Sequence, residues 1–187
     1  TSMPGPQLKQ AIPVSQNIRS LFPSIKIIWG GYFPSNQSKA VLSSGYVDFV
    51  INGPGEKTFP ALLQALEKNE PFELIHNLIY KSGEQIIKTA KDELYDPDEL
   101  PALPYETLNQ FYPVKKYLGK TYLGTKTIAY HSSMGCPFKC SFCAVVPIYN
   151  ARWRGKSAEL IYKDIKYLKE NHGGNAIEFH DNNFFVS

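Results

Sequence analysis

Apolar residues in the first half of the chain fall into short runs separated by stretches of helical spacing. Ile25-Lys26-Ile27-Ile28-Trp29 is apolar and β-branched and stops at Gly30-Gly31, the pattern of a buried strand closed by a glycine turn. Residues 39–44 predict a short helix, and 47–51 (Val47-Asp48-Phe49-Val50-Ile51) a second strand that stops at Gly53-Pro54-Gly55-Glu56. Over 58–68 the residues Phe59, Leu62, Leu63 and Leu66 recur at helical spacing and predict one buried face. Strand, helix, strand, helix predicts an α/β fold with a parallel sheet under helices. Residues 78–80 and 85–87, split by Ser82-Gly83-Glu84, predict a small hairpin.

The pattern then breaks. Between Tyr95 and Pro113 lie four prolines (Pro97, Pro101, Pro104 and Pro113) together with Asp96, Asp98 and Glu99, which predicts a linker or surface strap rather than a regular element. Residues 113–126 are rich in Lys and Tyr and read as surface, with a short hairpin around Gly119 and Gly124. Order resumes at 127–131 with a strand, Thr127-Ile128-Ala129-Tyr130-His131. Ser157 is a good N-cap for a helix over 158–171. Leu160, Ile161, Ile165 and Leu168 form its apolar stripe, Lys166 and Lys169 suit its C-terminal end, and Gly173-Gly174 stops it. A last strand covers 176–180 and runs into Asp181-Asn182-Asn183-Phe184. Three segments follow: 1–93, a linker at 94–126, and 127–187.

Bulk numbers narrow this picture only modestly. A hydrophobic share of 43% supports a packed core. Twenty basic against seventeen acidic residues leave +3, without the concentrated basic face of a nucleic-acid binder. No apolar run approaches the roughly 20 residues of a membrane span.

The chemistry concentrates in eight residues. The three cysteines of the chain, Cys136, Cys140 and Cys143, lie within Cys136-Pro-Phe-Lys-Cys140-Ser-Phe-Cys143, ahead of a helix and after a strand. Such spacing folds into a loop that aims three sulfurs at one point and leaves one corner of a four-cornered metal site open, and an open corner on a soft-ligand site points to chemistry. Zinc stays open as an alternative, with His131 as a fourth ligand. A disulfide would leave an odd cysteine at a cramped spacing, and reduced thiols fit the cytoplasm. The C-terminal end of a strand is also the edge where β/α barrels build their sites.

The cysteine spacing resembles the signature of the radical S-adenosylmethionine enzymes. That resemblance implies that Cys136, Cys140 and Cys143 hold three irons of a 4Fe–4S cluster and that S-adenosylmethionine chelates the fourth. Reductive cleavage then yields a 5′-deoxyadenosyl radical, with the protein supplying geometry and exclusion of water. Phe142 matches the aromatic position near the adenine. Arg152-x-Arg154-x-x-Ser157, the helix after it, and Ile177-x-Phe179-x-Asp181-Asn182-Asn183-Phe184 resemble the opening of the family's partial TIM barrel. Where many members carry Gly-Gly-Glu against the amino group of S-adenosylmethionine, this chain has His180-Asp181-Asn182, and Asp181 is the candidate acceptor for that ammonium.

The first half is similar to the later part of a Rossmann-like cobalamin-binding domain of the kind fused ahead of such barrels. The matching residues are Pro23-Ser-Ile-Lys-Ile-Ile-Trp-Gly30-Gly31-Tyr-Phe-Pro34 and Asp48-Phe-Val-Ile-Asn-Gly53-Pro-Gly55-Glu56. The resemblance implies that Gly30, Gly31, Gly53, Gly55 and Glu56 line a cobalamin site at the C-terminal edge of the sheet. A plain strand-to-helix turn at each glycine pair is the simpler reading. The family's Asp-x-His-x-x-Gly motif is absent. Thr1-Ser-Met-Pro-Gly-Pro-Gln-Leu8 looks like mid-domain sequence, and Ser187 follows the second barrel strand closely, so the expectation is an internal fragment. For the parent the resemblance implies an enzyme acting on a small-molecule substrate by methylation or rearrangement at carbon. It also implies an electron donor such as flavodoxin or ferredoxin. The rival readings are a cobalamin-independent, methylthiotransferase-like relative, and a non-enzymatic zinc or iron–sulfur module. In the latter Lys115, Lys116, Lys120, Arg152 and Arg154 would meet an acidic partner.

Overall fold

The structure, a computed structural model, describes residues 6–186. Residues 1–5, on which most of the mid-domain likeness at the start of the chain rests, and residue 187 lie outside the described residues. The chain forms two compact units, Thr1–Glu93 with Lys139–Asn150, and Leu94–Phe138 with Ala151–Ser187. Among the described residues no helix is long and apolar enough to cross a membrane.

The first unit is built on a four-stranded sheet in the order β1 (Ile28–Gly30), β2 (Phe49–Ile51), β3 (Leu78–Ser82), β4 (Gln85–Lys88). β1 and β2 run parallel, with Trp29 beside Val50. That parallel pair is the expected one, and the expected hairpin extends the same sheet in mixed fashion, because β3 is antiparallel to β2, with Val50 beside Ile79. The connection after β2 explains the reversal. The Asn52 amide donates to the Asn77 carbonyl at 2.8 Å, and Thr58 Oγ1 donates to the His76 carbonyl at 3.0 Å. The chain therefore re-enters the sheet beside the end of β2, not its start. The 85–87 hairpin partner is present as β4.

Alternation across the strands divides the core into two layers. Val50 and Ile79 pack with Trp29, Val41, Leu42 and Val47 on one face. Phe49, Leu78 and Tyr80 pack with Leu62, Ala65 and Ile75 on the other. The first face is covered in part by a helix that sequence patterning did not predict, α1 (Pro6–Leu21), through Leu8, Ala11, Ile12 and Ile18. Those residues and Ser15, whose hydroxyl accepts from Trp29 Nε1 at 3.1 Å, do follow helical spacing. Pro13 within the helix conceals it, since a mid-helix proline removes a backbone donor. Arg19 near the end of α1 donates to the Pro23 and Ile25 carbonyls and to Asp48, which also accepts from the Ile27 amide at 2.7 Å. These bonds occupy the backbone before Ile28, so the strand begins there and not at Ile25.

The short helix expected at 39–44 is present as α3 (Ser38–Ser43), and a further short helix that patterning did not predict, α2 (Tyr32–Asn36), precedes it. The following helix, α4 (Thr58–Lys68), matches its expected span but is rotated. Thr58, Leu62 and Ala65 face the sheet, while Phe59 and Leu63 are exposed.

In the second unit β5 (Thr127–Tyr130) pairs in parallel with β8 (Ala176–Phe179). Between them runs α7 (Ala158–His172), which Ser157 caps by accepting from the Leu160 amide at 3.2 Å. This is the expected βαβ opening of a barrel. Ile128, Tyr130 and Leu168 form its core, joined by Tyr105, Leu118, Ile161 and Ile177. The proline-rich stretch is more ordered than predicted. A 3₁₀ turn occupies Pro97–Glu99, and α5 (Tyr105–Phe111) places Tyr105 against Tyr167. The expected hairpin near Gly119 survives as a single bridge from Gly119 to Thr127. Sequence patterning gave no sign of α6 (Val146–Tyr149) or of the antiparallel pair β6 (Ser133–Gly135) and β7 (Trp153–Gly155).

Candidate functional site

The two glycine turns share one edge of the first unit's sheet. β1 and β2 are parallel and in register, Gly30 beside Ile51, so Gly30-Gly31 and Gly53-Pro54-Gly55-Glu56 both leave at the C-terminal ends of adjacent strands. Open α/β sheets bind ligands at this edge. Ser35 of α2 ties the turns together, donating to the Ile51 carbonyl at 3.3 Å and accepting from the Gly53 amide at 3.1 Å. Gly31 and Gly53 have φ of 103° and 116°, conformations that disfavour any side chain. Gly30 and Gly55 do not; a Cβ on either would sit 3.6–3.7 Å from Ile51.

The later part of the cysteine loop packs on the same unit. Asn36 of α2 donates to the Ala144 carbonyl at 3.1 Å, and Lys91 Nζ donates to the Pro147 carbonyl at 2.6 Å. The lysine thus meets the carbonyl end of α6, where a cation is favoured. Ile148 lies buried against Gly53. Tyr149 is pushed up to about 12, by burial first and then by the neighbouring Tyr32 and Glu56. Glu56 is thus one of the groups whose charge acts on the Tyr149 hydroxyl. Between α2 and the loop lies a cavity of about 710 Å³, lined by Tyr32, Phe33, Asn36, Phe142, Cys143 and Pro147. Phe142 is 91% exposed.

The thiols themselves are free. Cys140 and Cys143 share one turn, in which the Cys143 amide donates to the Cys140 carbonyl at 3.1 Å. Cys136 falls in the second unit and Cys140 and Cys143 in the first. Among the described residues no group of three His, Cys, Asp or Glu side chains is gathered as around a metal ion. That includes His131, whose ring instead meets His180 edge-on at 6.0 Å. Neither the three sulfurs, expected to aim at one point, nor the zinc alternative with His131 is therefore an assembled ligand set among the described residues. The donor chemistry still fits an iron–sulfur cluster, with three soft, unbridged sulfurs in eight residues.

In the second unit Asp181 is already engaged. Its carboxylate accepts from the Ser132 amide at 3.0 Å, from Ser132 Oγ at 2.9 Å, and from Ser133 Oγ. In the same unit, Lys156 Nζ donates to Tyr130 Oη at 2.9 Å and to Asp164 at 3.1 Å, while Tyr130 donates to Asp164 at 2.6 Å. Burial and then the bond to Asp164 hold the Tyr130 hydroxyl well above the usual tyrosine range. Lys115, Lys116, Lys120 and Arg154 are exposed. Sequence reasoning missed Asn36, Lys91 and Tyr149, and only their tertiary contacts mark them.

No family model matches the chain. It is 27% identical over 167 residues to the anaerobic magnesium-protoporphyrin IX monomethyl ester cyclase of Synechocystis sp., covering 89% of this chain and 32% of that protein. It is 33% identical over 142 residues to an uncharacterized methyltransferase of Pyrococcus horikoshii (75% and 29%). To the hopanoid C-3 methylase of Methylococcus capsulatus it is 28% identical over 165 residues (86% and 30%). The chain thus spans about a third of the length of the curated relatives it matches. Its fold is similar to the cobalamin-dependent S-adenosylmethionine radical enzyme OxsB, solved with aqua-cobalamin and S-adenosylmethionine. The TM-score is 0.76 at 18% identity, over 100% of this chain and 25% of that one. It is also similar to the radical S-adenosylmethionine methyltransferase TsrM of Kitasatospora setae, solved with cobalamin and a [4Fe-4S] cluster. There the TM-score is 0.67 at 17% identity, over 93% and 33%.

Proposed function

We propose, from the homology of this chain to a segment of the radical S-adenosylmethionine enzymes that carry a cobalamin-binding domain, that its parent is a cobalamin-dependent enzyme of that kind, acting on carbon by methylation or ring formation. The observation that carries the reading is the trio Cys136, Cys140 and Cys143, free and within eight residues of sequence, in a chain whose fold is similar to that of OxsB. When bound, a 4Fe–4S cluster would supply the electron that cleaves S-adenosylmethionine.

The chain's own residues have simpler tasks. Cys136, Cys140 and Cys143 hold the cluster as thiolates. Phe142 offers an exposed aromatic face to the adenine. Gly30, Gly31, Gly53 and Gly55 let the backbone approach the nucleotide tail of cobalamin closely, and Glu56 stands beside them. Asn36 and Lys91 hold the segment with Cys140 and Cys143 on the unit that carries those glycines. An electron donor such as flavodoxin or ferredoxin and a cytoplasmic setting complete the proposal, since the cluster needs reduction and reduced thiols.

Anaerobic reconstitution tests it. The intact chain is expected to take up about four irons with matching sulfide, and Cys136→Ala/Cys140→Ala/Cys143→Ala to take up none. Equal iron in the triple variant, or one zinc without sulfide in the native chain, overturns the cluster. Hydroxocobalamin binding to the full-length parent, measured by equilibrium dialysis, separates this reading from a cobalamin-independent relative.

A further inference from the structure

We propose that Asp181 is a positioning residue for the first cysteine, holding through Ser132 and Ser133 the strand that delivers Cys136. The inference rests on the cluster reading of the cysteine loop and assigns Asp181 a task other than holding the S-adenosylmethionine ammonium.

The geometry follows from the parallel pair. Tyr130 lies beside Phe179, and the His180 amide donates to the Tyr130 carbonyl at 2.9 Å. Asp181 therefore comes level with Ser132, two residues beyond the end of β5. A carboxylate offers about four acceptor positions, and three are filled by the Ser132 amide, Ser132 Oγ and Ser133 Oγ. Ser132 is 4% exposed, so its amide and hydroxyl have little water to fall back on. An ionised acceptor makes stronger bonds than a neutral one.

What those bonds fix is the start of β6. The next residues pair with β7, Ser133 beside Gly155 and Gly135 beside Trp153. The Lys156 amide donates to the Ser132 carbonyl at 2.8 Å, and the Cys136 amide donates to the Arg152 carbonyl at 3.0 Å. Cys136 is thus the first residue beyond a short two-stranded ribbon. Trp153 Nε1 donates to the Asn183 carbonyl at 3.1 Å, so the segment after β8 braces both strands of the ribbon. A two-stranded ribbon is marginal by itself, which makes such external anchors decisive for where Cys136 sits.

The test needs no cluster. In the cluster-free chain under anaerobic conditions, alkylation of each cysteine by iodoacetamide is followed by peptide mass spectrometry. Asp181→Ala is expected to speed Cys136 several-fold while Cys140 and Cys143 keep their rates. Ser132→Ala/Ser133→Ala, which leaves β8 untouched, is expected to do the same. Asp181→Asn, whose Oδ1 still accepts from the Ser132 amide, is expected to restore most of the native rate. An unchanged Cys136 rate in the serine double variant overturns the proposal. So does weakened S-adenosylmethionine binding in Asp181→Asn with all three cysteine rates native, because that marks direct contact. If the native chain takes up no iron, the cluster reading fails while the alkylation pattern still decides the role of Asp181.

Discussion

Gly53 and Gly30 look alike in sequence and differ in what they tolerate. Gly53 has φ of 116°, so Gly53→Ala is expected to destabilise by about 1–3 kcal/mol. Gly30 has an ordinary φ and 3.7 Å of clearance to Ile51, so Gly30→Ala is expected to stay within about 0.5 kcal/mol. Urea midpoints of the two variants check this. Tyr149 makes a second case. Its hydroxyl is raised from 10.0 to about 12 by burial, Tyr32 and Glu56. The folded chain therefore binds the phenolic proton more tightly than the unfolded one. That contribution is present in full below pH 10 and is lost as pH rises toward 12. Stability of the native chain is expected to fall across that window, and the fall to be shallower in Tyr149→Phe; denaturant melts at stepped pH measure it.

Elements differ in how far local chemistry specifies them. α7 carries its own instructions: Ser157 at the N-cap, an apolar stripe, and Gly173 with φ of 75° at its C-terminus. Ser157→Ala is expected to cost about 1 kcal/mol, read as a lowered thermal midpoint, and a local loss of amide protection in the first turn would locate it. α4 is the contrary case. Its span was legible, yet the buried face is set by Leu62 and Ala65 meeting Phe49, Leu78 and Ile75, which periodicity cannot orient when Phe59 and Leu63 are equally apolar. β6 and β7 are three residues each, too short for any alternating pattern to register, and exist because their partners are brought together.

At the scale of the molecule, chain order and spatial order part company. Residues 139–150 leave the second unit in sequence and pack with the first. They rest there through Asn36, Lys91 and Gly53. Leu62→Ala, which opens the core under α4, is expected to cost about 2–5 kcal/mol. Hydrogen exchange at residues 139–150 is expected to quicken with that of β2 and β3; native protection in the segment would show that it does not share the first unit's stability. The sequence by itself determined the βαβ opening of the second unit, the strands at the two glycine turns, and three cysteines at a cluster-like spacing. These depend on neighbours a few residues apart. Only the tertiary structure decided that α1 covers the sheet, that β3 runs antiparallel, and that Asp181 is occupied by Ser132 and Ser133. Each rests on contacts between residues distant in sequence, such as Trp29 with Ser15, Asn52 with Asn77, and Ser132 with Asp181, whose partners are chosen by packing and carry no local signal.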